Sequence, residues 1–96
     1  MPEQRHFTVF SYDISDDRKR RNVAAILEDH AVRVQFSVFE AFLTHQQCQA
    51  LAERLERRLD RGDSLRVYVV TATGLKHSRS FGGPAIVDDS APFLLF

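Results

Sequence analysis

A carboxylate followed by a run of cations is the part of this chain best equipped for chemistry. The segment reads Ser11-Tyr12-Asp13-Ile14-Ser15-Asp16-Asp17-Arg18-Lys19-Arg20-Arg21. An alternating apolar stretch, Phe7 to Tyr12, leads into Asp13 and then into an acidic-to-basic helix start. A strand that ends on an aspartate holds that carboxylate rigidly at the rim of a sheet. Carboxylate oxygens suit a hard divalent cation, and arginine and lysine suit phosphate oxygens. The combination points to phosphodiester chemistry or to nucleic-acid contact.

One carboxylate alone is a poor Mg²⁺ site, because such sites use one or two carboxylates plus waters and substrate phosphates. An aspartate that caps a loop, or pairs with an arginine of the next helix, would look the same in sequence. A two-fold dimer changes the balance by bringing Asp13 of each chain to a shared axis. Asp16 and Asp17 could join such a site, but helix capping and dipole complementation account for both. Arg18, Lys19, Arg20 and Arg21 span more than one helical turn and cannot all face one way. A solvated helix face explains them as well as phosphate binding does. A second basic group, Arg54, Arg57, Arg58 and Arg61, has spacings of three, one and three that put all four on one helix face. Glu53 can pair with Arg57, which leaves a local excess of positive charge. A phosphate-backbone groove and plain solvation weigh equally there.

The elements that must position these groups follow from periodicity. Phe7 to Tyr12 is a β-branched and aromatic run, apolar on both faces, and predicts a central strand. Ser15 or Asp16 caps a helix over Asp16 to His30, with Val23, Ile26 and Leu27 at helical spacing. Val32 to Leu43 is extended in character and too long for one strand. It predicts two strands joined by a kink near Ser37 to Phe39, although no Gly, Pro or Asn marks the turn. Thr44 with Gln47 forms a capping box for a second helix. That helix carries the stripe Cys48, Leu51, Ala52, Leu55, Leu59 and ends at Arg61-Gly62-Asp63, with Gly62 left-handed. Leu65 to Val70 is a fourth strand, and Leu75 to Phe81 reads as a short fifth before Gly82-Gly83-Pro84 breaks it. The order is the split βαβ, ferredoxin-like pattern, an α+β fold of type βαββαβ with an extra C-terminal strand. The predicted domain is 1–84, with 85–96 as a tail whose apolar Phe93-Leu94-Leu95-Phe96 is expected to pack on a partner chain.

Composition narrows the function classes. Ninety-six residues make one small domain, for which dimerisation would add stability. Thirteen basic residues balance thirteen acidic ones, which argues against indiscriminate coating of nucleic acid, so binding would have to come from local clusters. No apolar run approaches the roughly 18 residues of a membrane span, and the polar N-terminus lacks the apolar stretch of a signal peptide. The lone Cys48 cannot form an intrachain disulfide and reads as a core thiol. The expectation is a soluble cytoplasmic protein. His6, His30, His45 and His77 have no metal-ligand spacing and read as surface or helix-end residues.

Three segments together resemble the CRISPR-associated protein two family, the small adaptation-complex subunit. They are Phe10 to Arg21; Leu27-Glu28-Asp29-His30 with Arg33-Val34-Gln35-Phe36-Ser37-Val38-Phe39-Glu40; and Asp63 to Tyr68 with a later Phe81-Gly82-Gly83-Pro84. They cover most of residues 7–84. The resemblance implies a ferredoxin-fold homodimer with strand exchange, the segment around Leu75 to Phe81 crossing onto the partner's sheet. It implies that Asp13 binds the metal, Mg²⁺ or alternatively Mn²⁺, and that Tyr12 stands beside it in catalysis. It assigns functional roles to Arg20, Arg33 and Phe39, and places Phe39, Gly82, Gly83 and Pro84 in structure and dimer contacts. Asn22 stands where some members have another arginine.

The implied activity is metal-dependent endonuclease cleavage of single-stranded RNA or double-stranded DNA. The implied partner is the adaptation integrase, two copies of which the dimer bridges during spacer acquisition. A catalytically silent scaffold would use the same arginines, with Arg54, Arg57, Arg58 and Arg61, on the DNA backbone. A ferredoxin-like module binding a small ligand fits the fold and neutral charge. It requires neither the strand-end aspartate nor the arginines.

Overall fold

A computed structural model of the chain describes residues 3–89. The elements run β1 (Arg5–Asp13), α1 (Asp17–Glu28), β2 (Val32–Gln35), β3 (Val38–Thr44), α2 (His45–Glu56), β4 (Ser64–Val70) and α3 (Ala72–Lys76). The four strands form one antiparallel sheet in the order β2-β3-β1-β4, the ferredoxin-like α+β arrangement. β1 is central because both its faces are apolar and both its edges are paired. Phe10 lies opposite Phe39 of β3 and Val67 of β4.

The pleat divides β1 between two surfaces. Phe10 and Tyr12 join Phe39, Ala41 and Leu43 beneath Val23, Ala24, Ile26 and Leu27 of α1 and Leu51 and Leu55 of α2. Both helices therefore cover one side. Phe7, Val9, Ser11 and Asp13 alternate to the other side, where Phe7 meets the Phe42 ring edge-on at 5.5 Å. The chain after α3 returns over this second side. Val87 is buried there, and its N–H donates to Glu40 Oε1 at 3.2 Å.

Local signals start and stop the helices. Asp16 caps α1 by accepting the Lys19 N–H at 2.9 Å. Thr44 and Gln47 form the full reciprocal capping box of α2. The extended run resolves into β2 and β3 about a two-residue turn, Phe36-Ser37, with a bulge between Arg33 and Gln35. Neither turn residue has positive φ. The bulge supplies the local twist that a glycine-bearing hairpin turn would otherwise give.

Two expectations are corrected. The second helix stops at Glu56, not near Gly62, and Arg57 is its C-cap. Arg58 turns back so that its guanidinium donates to the Arg54 carbonyl at 2.8 Å, satisfying one of the helix's last acceptors. Gly62, at φ +91°, serves the turn into β4 instead. The fifth strand over Leu75 to Phe81 is not formed among the described residues. Thr71 caps a helical turn there, its Oγ1 accepting the Gly74 N–H at 3.0 Å, and Leu75 lies within α3. The break at Gly82-Gly83-Pro84 is present, with both glycines at positive φ. Phe93 to Phe96 lie outside the described residues.

Candidate nucleic-acid and metal site

The end of β1 opens on a cavity of about 670 Å³. Its walls include Tyr12, Asp13, Arg20, Arg21, Glu28, Arg33 and Phe36. Four residues assigned on resemblance, Tyr12, Asp13, Arg20 and Arg33, thus converge from β1, α1 and β2. Three arginines face two carboxylates, Asp13 and Glu28, so the wall carries a cationic excess beside an exposed aspartate.

Each side chain has an identifiable support. Asp13 is the last residue of β1, paired with Ser64 of β4. The next turn of chain is clamped, because the Ser15 N–H donates to Asp63 Oδ1 at 3.2 Å while Asp63 Oδ2 accepts the Asp60 N–H at 2.8 Å. Lys19 reaches Asp60 and ties α1 to the same turn. Arg20 leans back over the strand end, donating to the Ile14 carbonyl at 3.1 Å and pairing with Asp17. Asp17 is therefore engaged by Arg20, and Asp16 by its capping bond.

Arg33 lies opposite Phe39 in the sheet register, and its guanidinium carbon stands 5.2 Å from the centre of that ring. The Tyr12 ring stacks on the other part of the pair, 6.2 Å from Phe39. Both rings are buried, so the exposed arginine rests on a fixed aromatic base. The Tyr12 N–H donates to the Ser37 carbonyl at 3.1 Å, which fastens the β2–β3 turn to the residue preceding Asp13.

The second basic group behaves differently. Arg54 is on α2, Arg57 and Arg58 follow its end, and Arg61 is in the turn beyond, so the four do not share one helical face. None of them lines the Asp13 cavity. Cys48 packs against the core half-buried, and burial pushes its thiol up from 9.0. Gly82, Gly83 and Pro84 line a separate groove on the second side of the sheet, with Phe7, Val9 and Val38.

Sequence reasoning passed over Asp63, Phe36 and Glu28 at this site. Asp63 and Glu28 are single acidic residues whose use depends on long-range pairing. Phe36 carried a signal in being an aromatic residue at a turn.

Among the described residues no three His, Cys, Asp or Glu side chains gather into a metal site. A single chain offers two exposed carboxylates here, Asp13 at the end of β1 and Glu28 at the end of α1. That donor set fits a hard cation that keeps several waters, provided a further carboxylate or substrate phosphate completes it. It does not fit a closed all-protein cage. No helix among the described residues is long and apolar enough to cross a membrane.

The family model described as CRISPR associated protein Cas2 matches residues 6–77. A protein of Chloroflexus aurantiacus named CRISPR-associated endoribonuclease Cas2 3 is 40% identical over 77 residues, covering 79% of this chain and 83% of the relative. The crystal structure of a hypothetical protein from Thermus thermophilus superposes with TM-score 0.73 at 36% identity, over 83% of this chain and 95% of that one. A chain of a partial Cas6-RT-Cas1–Cas2 complex superposes with TM-score 0.70 at 25% identity, over 90% and 95%. The match spans the site residues from Tyr12 to Phe39 and the strands that hold them, and the chain belongs to the CRISPR associated protein Cas2 family.

Proposed function

We propose that this chain works as a homodimeric subunit of CRISPR adaptation with endonuclease activity on phosphodiesters, single-stranded RNA or double-stranded DNA. The observation that carries the reading is the convergence of Asp13, Arg20 and Arg33 on one open cavity. The relative named endoribonuclease supports the activity. The second side of the sheet is the surface proposed for the partner copy. Asp13 shares it with Phe7, Val9 and Ser11, so a two-fold axis there would pair the two Asp13 carboxylates.

Bound Mg²⁺, or Mn²⁺, would polarise the scissile phosphate and lower the pKa of an attached water. The chain's own residues do the rest. Asp13 holds the cation. Arg33 and the donors that Arg20 does not spend on Ile14 and Asp17 hold phosphate oxygens. Tyr12 and Phe39 position Arg33 through ring packing, and Asp63 positions the segment after Asp13.

The likeness to a chain of a Cas1–Cas2 complex supports a second role, bridging the adaptation integrase. In that role the arginines, with Arg54, Arg57, Arg58 and Arg61, contact duplex backbone without reading sequence. Cleavage of duplex DNA and single-stranded RNA by wild type beside Asp13→Asn, with EDTA controls, separates the two. Cleavage lost in the variant and in EDTA supports the nuclease. Equal or no cleavage, with integrase-dependent spacer insertion intact in Asp13→Asn, leaves the scaffold.

A further inference from the structure

Phe36 is 92% exposed at the tip of the β2–β3 turn. A phenylalanine gains nothing from water, and single exposed apolar residues are common. This one is unusual in its setting. It lines the same cavity as Asp13, Arg20, Arg21 and Arg33. The ring also stands on a rigid mount. The Tyr12 N–H bonds the neighbouring Ser37 carbonyl, and the bulge between Arg33 and Gln35 sets the direction in which the turn leaves β2. Phe81, 88% exposed, differs in lining the groove on the other side of the sheet, among Phe7, Val9, Val34 and Val38.

A flat apolar ring beside several guanidinium groups is the combination that holds single-stranded nucleic acid. Cations track the phosphates, and an aromatic face takes an unpaired base without regard to its identity. Duplex bases are already stacked on one another and offer no free face. We propose that Phe36 is a base-stacking subsite for an unpaired nucleotide at the Asp13 cavity, so that the ligand held there is single-stranded RNA or DNA rather than intact duplex. This deepens the nuclease reading and rests on it for the identity of the cavity. The other occupant an exposed phenylalanine can have is a protein surface. The three arginines on the cavity wall favour the nucleic acid.

The sequence contains no tryptophan, so Phe36→Trp introduces a single fluorescent reporter. The experiment uses the full chain carrying Asp13→Asn, so that strands are bound without being cut. Mixed-sequence single-stranded RNA and DNA oligonucleotides, and the duplex of the same sequence, are titrated in turn. The expected result is saturable quenching by one or both single strands, with the duplex much weaker. Phe36→Ala is expected to lower single-strand affinity roughly 5- to 150-fold, the range for one stacked base, and to leave duplex affinity unchanged. Thermal melting of both variants should match wild type, because the ring is solvent-exposed. Equal quenching by duplex overturns the proposal, as does single-strand binding without quenching or Phe36→Ala binding like wild type. A blue shift that grows with protein concentration alone also overturns it, assigning Phe36 to a protein interface. A chain that binds and quenches as expected but whose wild type never cuts keeps the stacking subsite and removes only the nuclease.

Discussion

The backbone N–H of Ser15 donates to Oδ1 of Asp63 at 3.2 Å, joining the segment that follows Asp13 to the turn that precedes β4. The other oxygen of the same carboxylate accepts the Asp60 N–H. One side chain therefore sets the path of the chain on both sides of the Asp13–Ser64 pairing. Asp63→Ala should cost about 1 kcal/mol, since both bonds are near the surface. For a domain of this size that is a fall in Tm of roughly 4–8 °C. Metal-dependent cleavage should fall with it, and Asp63→Asn, which keeps one acceptor, should lie between. Thermal denaturation beside the cleavage assay checks this. An Asp63→Ala protein that melts and cuts like wild type would remove Asp63 from the site.

Arg33 rests on Phe39, yet its guanidinium is exposed and available to phosphate. Arg33→Ala should weaken binding uniformly across sequences and reduce the slope of log affinity against log salt by about 1. Arg33→Lys should keep the slope and still lose affinity, because an ammonium cannot lie flat on the ring as a guanidinium does. Fluorescence anisotropy at several salt concentrations measures both. An unchanged slope in Arg33→Ala would show that this residue contacts no phosphate.

Thr44 is a structural control. Its hydroxyl accepts the Gln47 N–H at 3.1 Å while Gln47 Oε1 accepts the Thr44 N–H at 2.9 Å. Thr44→Ala should destabilise the fold by about 1 kcal/mol. It stands at the opposite end of β3 from the Phe36-Ser37 turn, so nucleic-acid affinity should not change. A denaturant titration and a binding curve on the same sample test the pair of outcomes.

The elements were legible where the signal was local. The capping box at Thr44 and Gln47, the alternation through Phe7 to Tyr12 and the stripe at Val23, Ile26 and Leu27 each depend on neighbours within a turn or two. The β2–β3 turn was harder, because Phe36-Ser37 lacks the usual turn residues and is accommodated by a bulge. The basic stripe failed at Arg61, where a glycine six residues past Glu56 resembled a helix end. The turn that Arg58 and Asp63 stabilise had already begun. At the Asp13 cavity the carboxylate and the cations after it were legible from their order in the chain, whereas the part of Arg33 came only through resemblance. Nothing in local spacing says that Arg33 and Arg20 meet beside Asp13, since three separate elements bring them there.

Burial pushes the His30 imidazole below 6.5, its ordinary value; Asp29 opposes the shift and Arg54 adds to it. The folded chain therefore favours neutral His30, and the unfolded chain takes up the proton first as pH falls. Stability should decline as pH drops through 6.5 and level off once below the depressed native value. His30→Gln should flatten this part of the profile. Urea denaturation above, within and below the window tests it. An identical pH dependence in His30→Gln would assign the change to other groups.

In the homodimer reading, Val9 lies on the surface that meets the second copy, in the groove with Phe7, Val38 and Val70. Val9→Lys should shift the protein to monomer in sedimentation velocity. It should also abolish cleavage while Asp13 stays in place, because each chain supplies one of the paired Asp13 carboxylates. A monomer that still cuts would overturn the paired-aspartate arrangement.

The pairing of Asp13 with Ser64, and of Ser15 with Asp63, has a consequence for the chain as it is made. Both contacts close a loop of about half the molecule, the kind of non-local ordering that comes slowly in folding. While the chain is being synthesised, β1 emerges early and β4 late, and domains order only as their parts become available. The clamp on the segment after Asp13 therefore forms only once Asp63 and β4 have left the ribosome. A growing chain carries Tyr12, Asp13, Arg20 and Arg33, all from β1, α1 and β2, before the bonds that fix the end of β1 can form.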